Sequence, residues 1–131
     1  MTLATVRDIL TCDVYWGEDH LNSTVRYGCA SDLMSDVLAF SQSEALLLTG
    51  LVTQQTVQTA FVADIRAIVF VRGKRPHGDV VALAAEKGIP LLGTGYSMFE
   101  SCGILYRSGL PSTMPRVSSA KASAVTKGLD G

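Results

Sequence analysis

No stretch of this 131-residue chain approaches the roughly 18 uninterrupted apolar residues that mark a membrane-spanning helix. The opening "MTLATVRDIL" lacks the basic and apolar regions of a signal peptide, so the expectation is a cytoplasmic protein. An excess of positive charge is also missing. The net charge is −1, whereas a nucleic-acid surface normally shows clustered Lys and Arg. The basic cluster that does exist, Arg72, Lys74 and Arg75, is large enough for a small anion and no more. The three cysteines, Cys12, Cys29 and Cys102, form no CxxC pair, and their odd number argues against a disulfide framework.

Catalytic patterns are absent as well. No segment fits GxxxxGK[ST], which excludes P-loop phosphoryl transfer. His20 and His77 have no Cys, Glu or second His at metal-ligand spacing and read as exposed loop residues. Cys29 and Cys102 read as small buried apolar residues, with a redox or metal role as the alternative. Asp32 and Asp36 stand four apart, either as an acidic pair on one helix face or as a cap and a solvated charge. No nucleophile, base and oxyanion set can be assembled, and the reading is a protein that is not an enzyme.

What is present is a regular succession of apolar runs. The length fits one domain, and a 47% hydrophobic content can bury a core. "TVRDIL" predicts a short helix with Thr5 as N-cap and Asp8 three residues on. "DVYWG" and "TVRYGCA" predict two strands paired across the turn "EDHLNS". "SDLMSDVLAF" follows as a short helix or turn capped by Ser31 or Asp32. From Glu44 the pattern becomes periodic. "ALLLTG", "AIVFVRG" and "IPLLGTG" read as strands buried on both faces. Between them lie two helical patterns. "TQQTVQTAFVADI" places Val57, Ala60, Phe61 and Asp64 or Ile65 at three- and four-residue spacings, and "HGDVVALAAEKG" ends at a left-handed Gly88. "YSMFESCGILYRSG" supplies a last helix closing at Gly109.

Three strand-then-helix units of about 22 residues therefore follow one another, and a mainly parallel sheet in a single α/β domain is the expected fold. The domain is expected over 1–111. Residues 112–131, rich in Ser, Ala and Lys, are expected to be a disordered, modestly basic tail.

Gly50, Gly73 and Gly95 end the three runs at intervals of 23 and 22 residues. In an open parallel sheet, ligands bind beyond the carboxyl ends of the strands. The candidate binding groups are thus Thr49 and Gly50; Arg72, Gly73, Lys74 and Arg75; and Thr94, Gly95, Tyr96 and Ser97. Amides at helix starts, a guanidinium fork, hydroxyls and an aromatic face together suit a nucleotide or other small anion.

The segments "VRYGCASDLMSDVLAF", "ALLLTGLVTQQTVQTA", "AIVFVRGKRPHGDVVALAAEKGIPLL" and "SMFESCGILYRSGL", as an ordered set spanning about residues 4–110, resemble the DRTGG domain family. The resemblance implies an α/β domain similar to the N-terminal domain of HPr kinase/phosphorylase. It also implies a regulatory or ligand-sensing role without catalysis, as in the DRTGG modules of some phosphotransacetylases and CBS-domain pyrophosphatases, and self-association as a homodimer. Free-standing members encoded near iron-hydrogenase genes add the alternative of an accessory protein docking on that enzyme system. No cofactor is implied. The sequence departs from the family where an Asp-Arg pair is expected: here Gly50 is followed by Leu51 and Val52, which carry no charge and make the loop greasy.

Overall fold

A computed structural model of the protein describes residues 1–114. Its elements begin with α1 (Leu3–Leu10), whose Leu3, Val6 and Leu10 recur at helical spacing and are all buried. The N-cap of α1 is Thr2, not Thr5. The Thr2 hydroxyl accepts from the Thr5 N–H, so Thr5 is the third helical residue and the helix gains nearly a turn. The strands β1 (Asp13–Trp16) and β2 (Tyr27–Ala30) flank a 3-10 turn at Glu18–His20. There follow α2 (Met34–Phe40), β3 (Ala45–Thr49), α3 (Gln54–Val62), β4 (Ala67–Phe70), α4 (Gly78–Lys87), β5 (Leu91–Gly93) and α5 (Met98–Arg107).

The sheet order is β1-β5-β4-β3-β2, with β2 to β5 parallel and β1 antiparallel to β5. The strands "DVYWG" and "TVRYGCA" therefore do not pair. They lie at opposite edges because β3, β4 and β5 are apolar on both faces and need neighbours on both sides, which leaves the half-polar strands to close the ends.

Alternation along each central strand builds two cores. Leu46, Leu48, Val69 and Leu92 face α1 and α5, where they meet Leu3, Val6, Leu10 and Leu105. Leu47, Ile68, Phe70 and Leu91 face the other way, against Val37, Val57, Val80 and Ala84 of α2, α3 and α4. The result is one α/β domain with helices on both faces of a mostly parallel sheet. Gly88 caps α4 in the left-handed conformation, as expected. Phe61 does not join the core. It is about half exposed, with the Lys87 ammonium 4.7 Å from its ring centroid.

The expected start of the tail is also corrected. Residues 112–114 belong to the domain: Ser112 bridges Gly28 in parallel, Thr113 is buried, and Gln42 Nε2 donates to the Thr113 carbonyl at 2.6 Å. These groups cover the otherwise unpaired edge of β2. The rest of the expected tail, 115–131, lies outside the described residues. Among the described residues, no helix is long and apolar enough to cross a membrane.

Candidate functional site

Because β3, β4 and β5 run parallel, their carboxyl ends share one edge, and the three turns meet there. Backbone bonds stitch them together. Val71 N–H donates to Thr49 O at 3.1 Å, Arg72 N–H to Tyr96 O at 2.8 Å, and Gly73 N–H to Thr94 O at 2.9 Å.

The β4 turn is the unusual one. Lys74 N–H returns to Val71 O at 3.3 Å, and the two residues between, Arg72 and Gly73, have φ of 62° and 68°. That is the signature of a type I′ turn, which needs positive φ at both central positions. Gly73 adopts it freely. Arg72 pays a steric cost of about 1–2 kcal/mol for its Cβ. The conformation carries the Arg72 guanidinium over Gly50, where a Cβ would overlap its terminal nitrogen and stand 3.1 Å from Cζ. Gly50 thus supplies space rather than an unusual backbone angle.

Beside that guanidinium lies Asp32, which does not cap α2. The first helical residue there is Met34, and the carboxylate reaches across to accept from the Gly50 N–H at 2.6 Å and the Thr49 hydroxyl at 2.9 Å. The Gly50 amide, the Thr49 hydroxyl and the nearby Arg72 and Lys74 cations hold the Asp32 carboxyl below its ordinary value against a smaller opposing effect of burial. Asp32 and Asp36 consequently share no helix face.

The sequence-predicted groups divide accordingly. The Thr49 hydroxyl is buried and committed to Asp32 and to Leu51 N–H, and the Thr94 hydroxyl is buried and donates to Leu10 O at 2.6 Å. Both are structural, and the Gly50 amide is occupied. Ser97 caps α5 by accepting from Glu100 N–H. Arg72, Gly73, Lys74, Arg75, Gly95, Tyr96 and Ser97 are exposed. Arg72, Lys74 and Arg75 take part in none of the ion pairs within 4.0 Å among the described residues. Leu51 and Val52 are not a greasy surface either. They are half-buried against the α3/α4 core, and the Thr56 hydroxyl ties down the Leu51 carbonyl at 2.6 Å.

Two residues escape sequence reasoning. Asp32 reads as a cap because its partners lie 17 and 18 positions away. Tyr15, on β1, packs its ring against Gly93 close enough that no side chain could replace that glycine's hydrogen without displacing it. Burial and the Asp13 charge raise its phenol, while Arg75 is near enough to lower it, which brings a second aromatic to the cationic edge. Asp79, held below its ordinary value chiefly by Gln54, whose Nε2 donates to it at 2.7 Å, bridges the starts of α3 and α4.

The three cysteines are free thiols. Burial raises Cys12 to about 12 with help from Asp13, and also raises Cys29 and Cys102. All are thus protonated, weak nucleophiles at neutral pH. Among the described residues, no three His, Cys, Asp or Glu side chains are grouped to hold a metal ion. His20 is half-buried, 5.2 Å from Trp16 ring to ring, and His77 is exposed at the start of α4.

No family model matches the chain, and no curated protein does. Among solved structures, the chain is similar to the CBS and DRTGG domains of the regulatory region of a Clostridium perfringens pyrophosphatase, crystallised with its activator diadenosine tetraphosphate. The match has a TM-score of 0.64 at 12% identity and covers 97% of this chain and 59% of the other. The chain thus spans less than two thirds of that protein's regulatory fragment. At this identity the likeness concerns the fold, which is DRTGG-like, as the sequence resemblance implied. None of the comparisons bears on an iron-hydrogenase partner.

Proposed function

We propose that the protein is a regulatory module without catalytic activity, sensing a phosphorylated small molecule, with a nucleotide as the best fit, at the carboxyl edge of β3, β4 and β5. The observation that carries this reading is Arg72. A non-glycine residue held in left-handed backbone costs free energy, and here it aims a guanidinium across a glycine beside two further exposed cations, Lys74 and Arg75. Strain of this kind collects at binding sites.

Asp32 already occupies the Gly50 amide, so the anion is assigned to the outer ridge formed by Arg72, Lys74 and Arg75. Tyr96, whose carbonyl accepts from Arg72 N–H, offers a half-open ring to a base. The fold's likeness to a regulatory region crystallised with a dinucleotide activator is in keeping with this class of ligand.

Calorimetric titration and thermal shift with adenosine mono-, di- and triphosphate, a dinucleoside polyphosphate and inorganic phosphate test the proposal. A ligand at 100 times its dissociation constant raises stability by about 2.7 kcal/mol. Arg72→Ala and Gly50→Ala should each weaken binding by about 10-fold or more, since a charge-assisted hydrogen bond contributes about 1.5–3 kcal/mol. In Gly50→Ala the new Cβ displaces a flexible side-chain end, so the fold itself should be nearly unaffected. No response to any phosphorylated compound sinks the reading.

A further inference from the structure

A fourth strand end reaches the edge where the three glycine turns meet. β2 runs parallel to β3 with Ala30 opposite Leu48, and the Ser31 N–H donates to the Leu48 carbonyl at 3.1 Å, so the chain leaving β2 passes beside Gly50. The residue delivered there is Asp32. It meets Gly50 from the β2 side, while the Arg72 guanidinium arrives from the β4 side. Both side chains are exposed, and the Arg72 and Lys74 charges are near enough to act on the carboxyl. Yet acid and base form none of the ion pairs within 4.0 Å among the described residues. The edge is therefore bipolar around one glycine, with its two charges left open to a ligand.

The Asp32 carboxylate has acceptor capacity to spare. An ionised carboxylate offers about four lone-pair sites on its two oxygens. Both bonds that Asp32 accepts, from the Gly50 N–H at 2.6 Å and the Thr49 hydroxyl at 2.9 Å, end on Oδ1. They hold the group in place, and among the described residues Oδ2 accepts from nothing. Two sites thus remain on an exposed, oriented oxygen. Its negative charge repels a phosphate and attracts neutral hydroxyl donors, and the vicinal hydroxyls of a sugar supply two of them. An acidic side chain reading ribose hydroxyls beside a phosphate site is an arrangement that dinucleotide-binding α/β sheets use at their own strand ends.

We propose that Asp32 Oδ2 is the sugar-reading group of the strand-end site, accepting from the 2′ and 3′ hydroxyls of a ribonucleotide whose phosphates lie on Arg72, Lys74 and Arg75. The proposal rests on the reading of this edge as an anion site, and it narrows the ligand from phosphorylated compounds in general to ribonucleotides. A bare polyphosphate meets the cations but also meets the carboxylate. A deoxynucleotide leaves part of the Oδ2 capacity unused.

Calorimetric titration of the full chain, at fixed ionic strength and without divalent cations, should compare adenosine triphosphate, its 2′,3′-dideoxy analogue and inorganic tripolyphosphate. The dideoxy compound should bind about 10-fold more weakly or worse, because it lacks both donors to a charged acceptor. Tripolyphosphate should fall behind adenosine triphosphate by a similar factor although it carries no less charge. Asp32→Asn keeps an oxygen for the Gly50 amide and replaces Oδ2 by a donor, so it should bring the two nucleotides to within about two-fold of each other and tighten tripolyphosphate. The comparison on the parent chain needs no variant to fold. If none of the three compounds binds, the anion site falls and this inference with it. If they bind but the parent does not separate ribose from dideoxyribose, or Asp32→Asn separates them as well as the parent does, the anion site stands and Asp32 is not its sugar reader.

Discussion

Asp32 is the residue on which the strand-end edge turns. Its carboxylate accepts from the buried Gly50 amide and the buried Thr49 hydroxyl, so Asp32→Ala leaves both donors without an acceptor, although the Thr49 oxygen still accepts from Leu51 N–H. The expected cost is about 1–3 kcal/mol, read as a lower denaturant midpoint, and Asp32→Asn, which keeps an acceptor, should lose less. The same contacts set a pH dependence. A carboxyl held below its unfolded value contributes stability that is present above about pH 4 and is lost as pH falls through the folded value. The acid limb of the stability profile should therefore be shallower in Asp32→Asn than in the parent. Equal acid limbs would show that the carboxylate is not coupled to folding. None of this can be read locally, because Asp32 sits two residues before a helix and resembles a cap until the chain has folded.

The turn after β4 is an element with a measurable conflict between stability and binding. Arg72 occupies a position that glycine fills without strain, and Gly73 beside it shows what the turn prefers. Arg72→Gly should leave the fold unchanged or more stable by up to about 1 kcal/mol, the relief of strain being partly offset by the freer unfolded chain. Nucleotide response should vanish in the same variant. A variant that loses stability and keeps binding would contradict both halves of this account. The other elements were legible at this scale for plain reasons. β3, β4 and β5 are apolar on both faces, and Gly88 and Gly109 stop the helices before them. The errors fell where local pattern is silent on partners. Thr2 and Thr5 are equally good caps in sequence, and Phe61 has the spacing of a core residue on a helix whose neighbour α4 leaves it outside.

For the molecule as a whole, the sheet is closed at one edge by an antiparallel strand and at the other by residues 111–113. Gly28 N–H donates to Pro111 O at 2.8 Å, and Gly28 O accepts from Thr113 N–H at 3.2 Å. A chain ending at Leu110 loses these bonds and the one from Gln42, and bares β2. Its thermal midpoint should fall by more than about 5 °C, because each lost bond contributes about 1 kcal/mol and 1 kcal/mol shifts a domain of this size by several degrees. Light scattering should report aggregation at concentrations where the full chain stays clear. An unchanged midpoint would mean that the cover is incidental.

The amino-acid sequence by itself determined the class of fold: runs apolar on both sides, alternating with one-sided helical patterns, can be buried only as strands between helical layers. It also brought the three glycine turns to one edge, because successive parallel strands end on the same side. Tertiary structure alone decided what each turn does there. Gly50 makes room for a guanidinium that comes from 22 residues away, Asp32 fills the amide that looked open to an anion, and Thr49 and Thr94 turn inward. The strands β1 and β2, adjacent in sequence, stand at opposite edges of the sheet. Periodicity reports which face of an element is buried, whereas the partners across a turn or an edge depend on contacts between residues far apart in the chain, and only packing selects them.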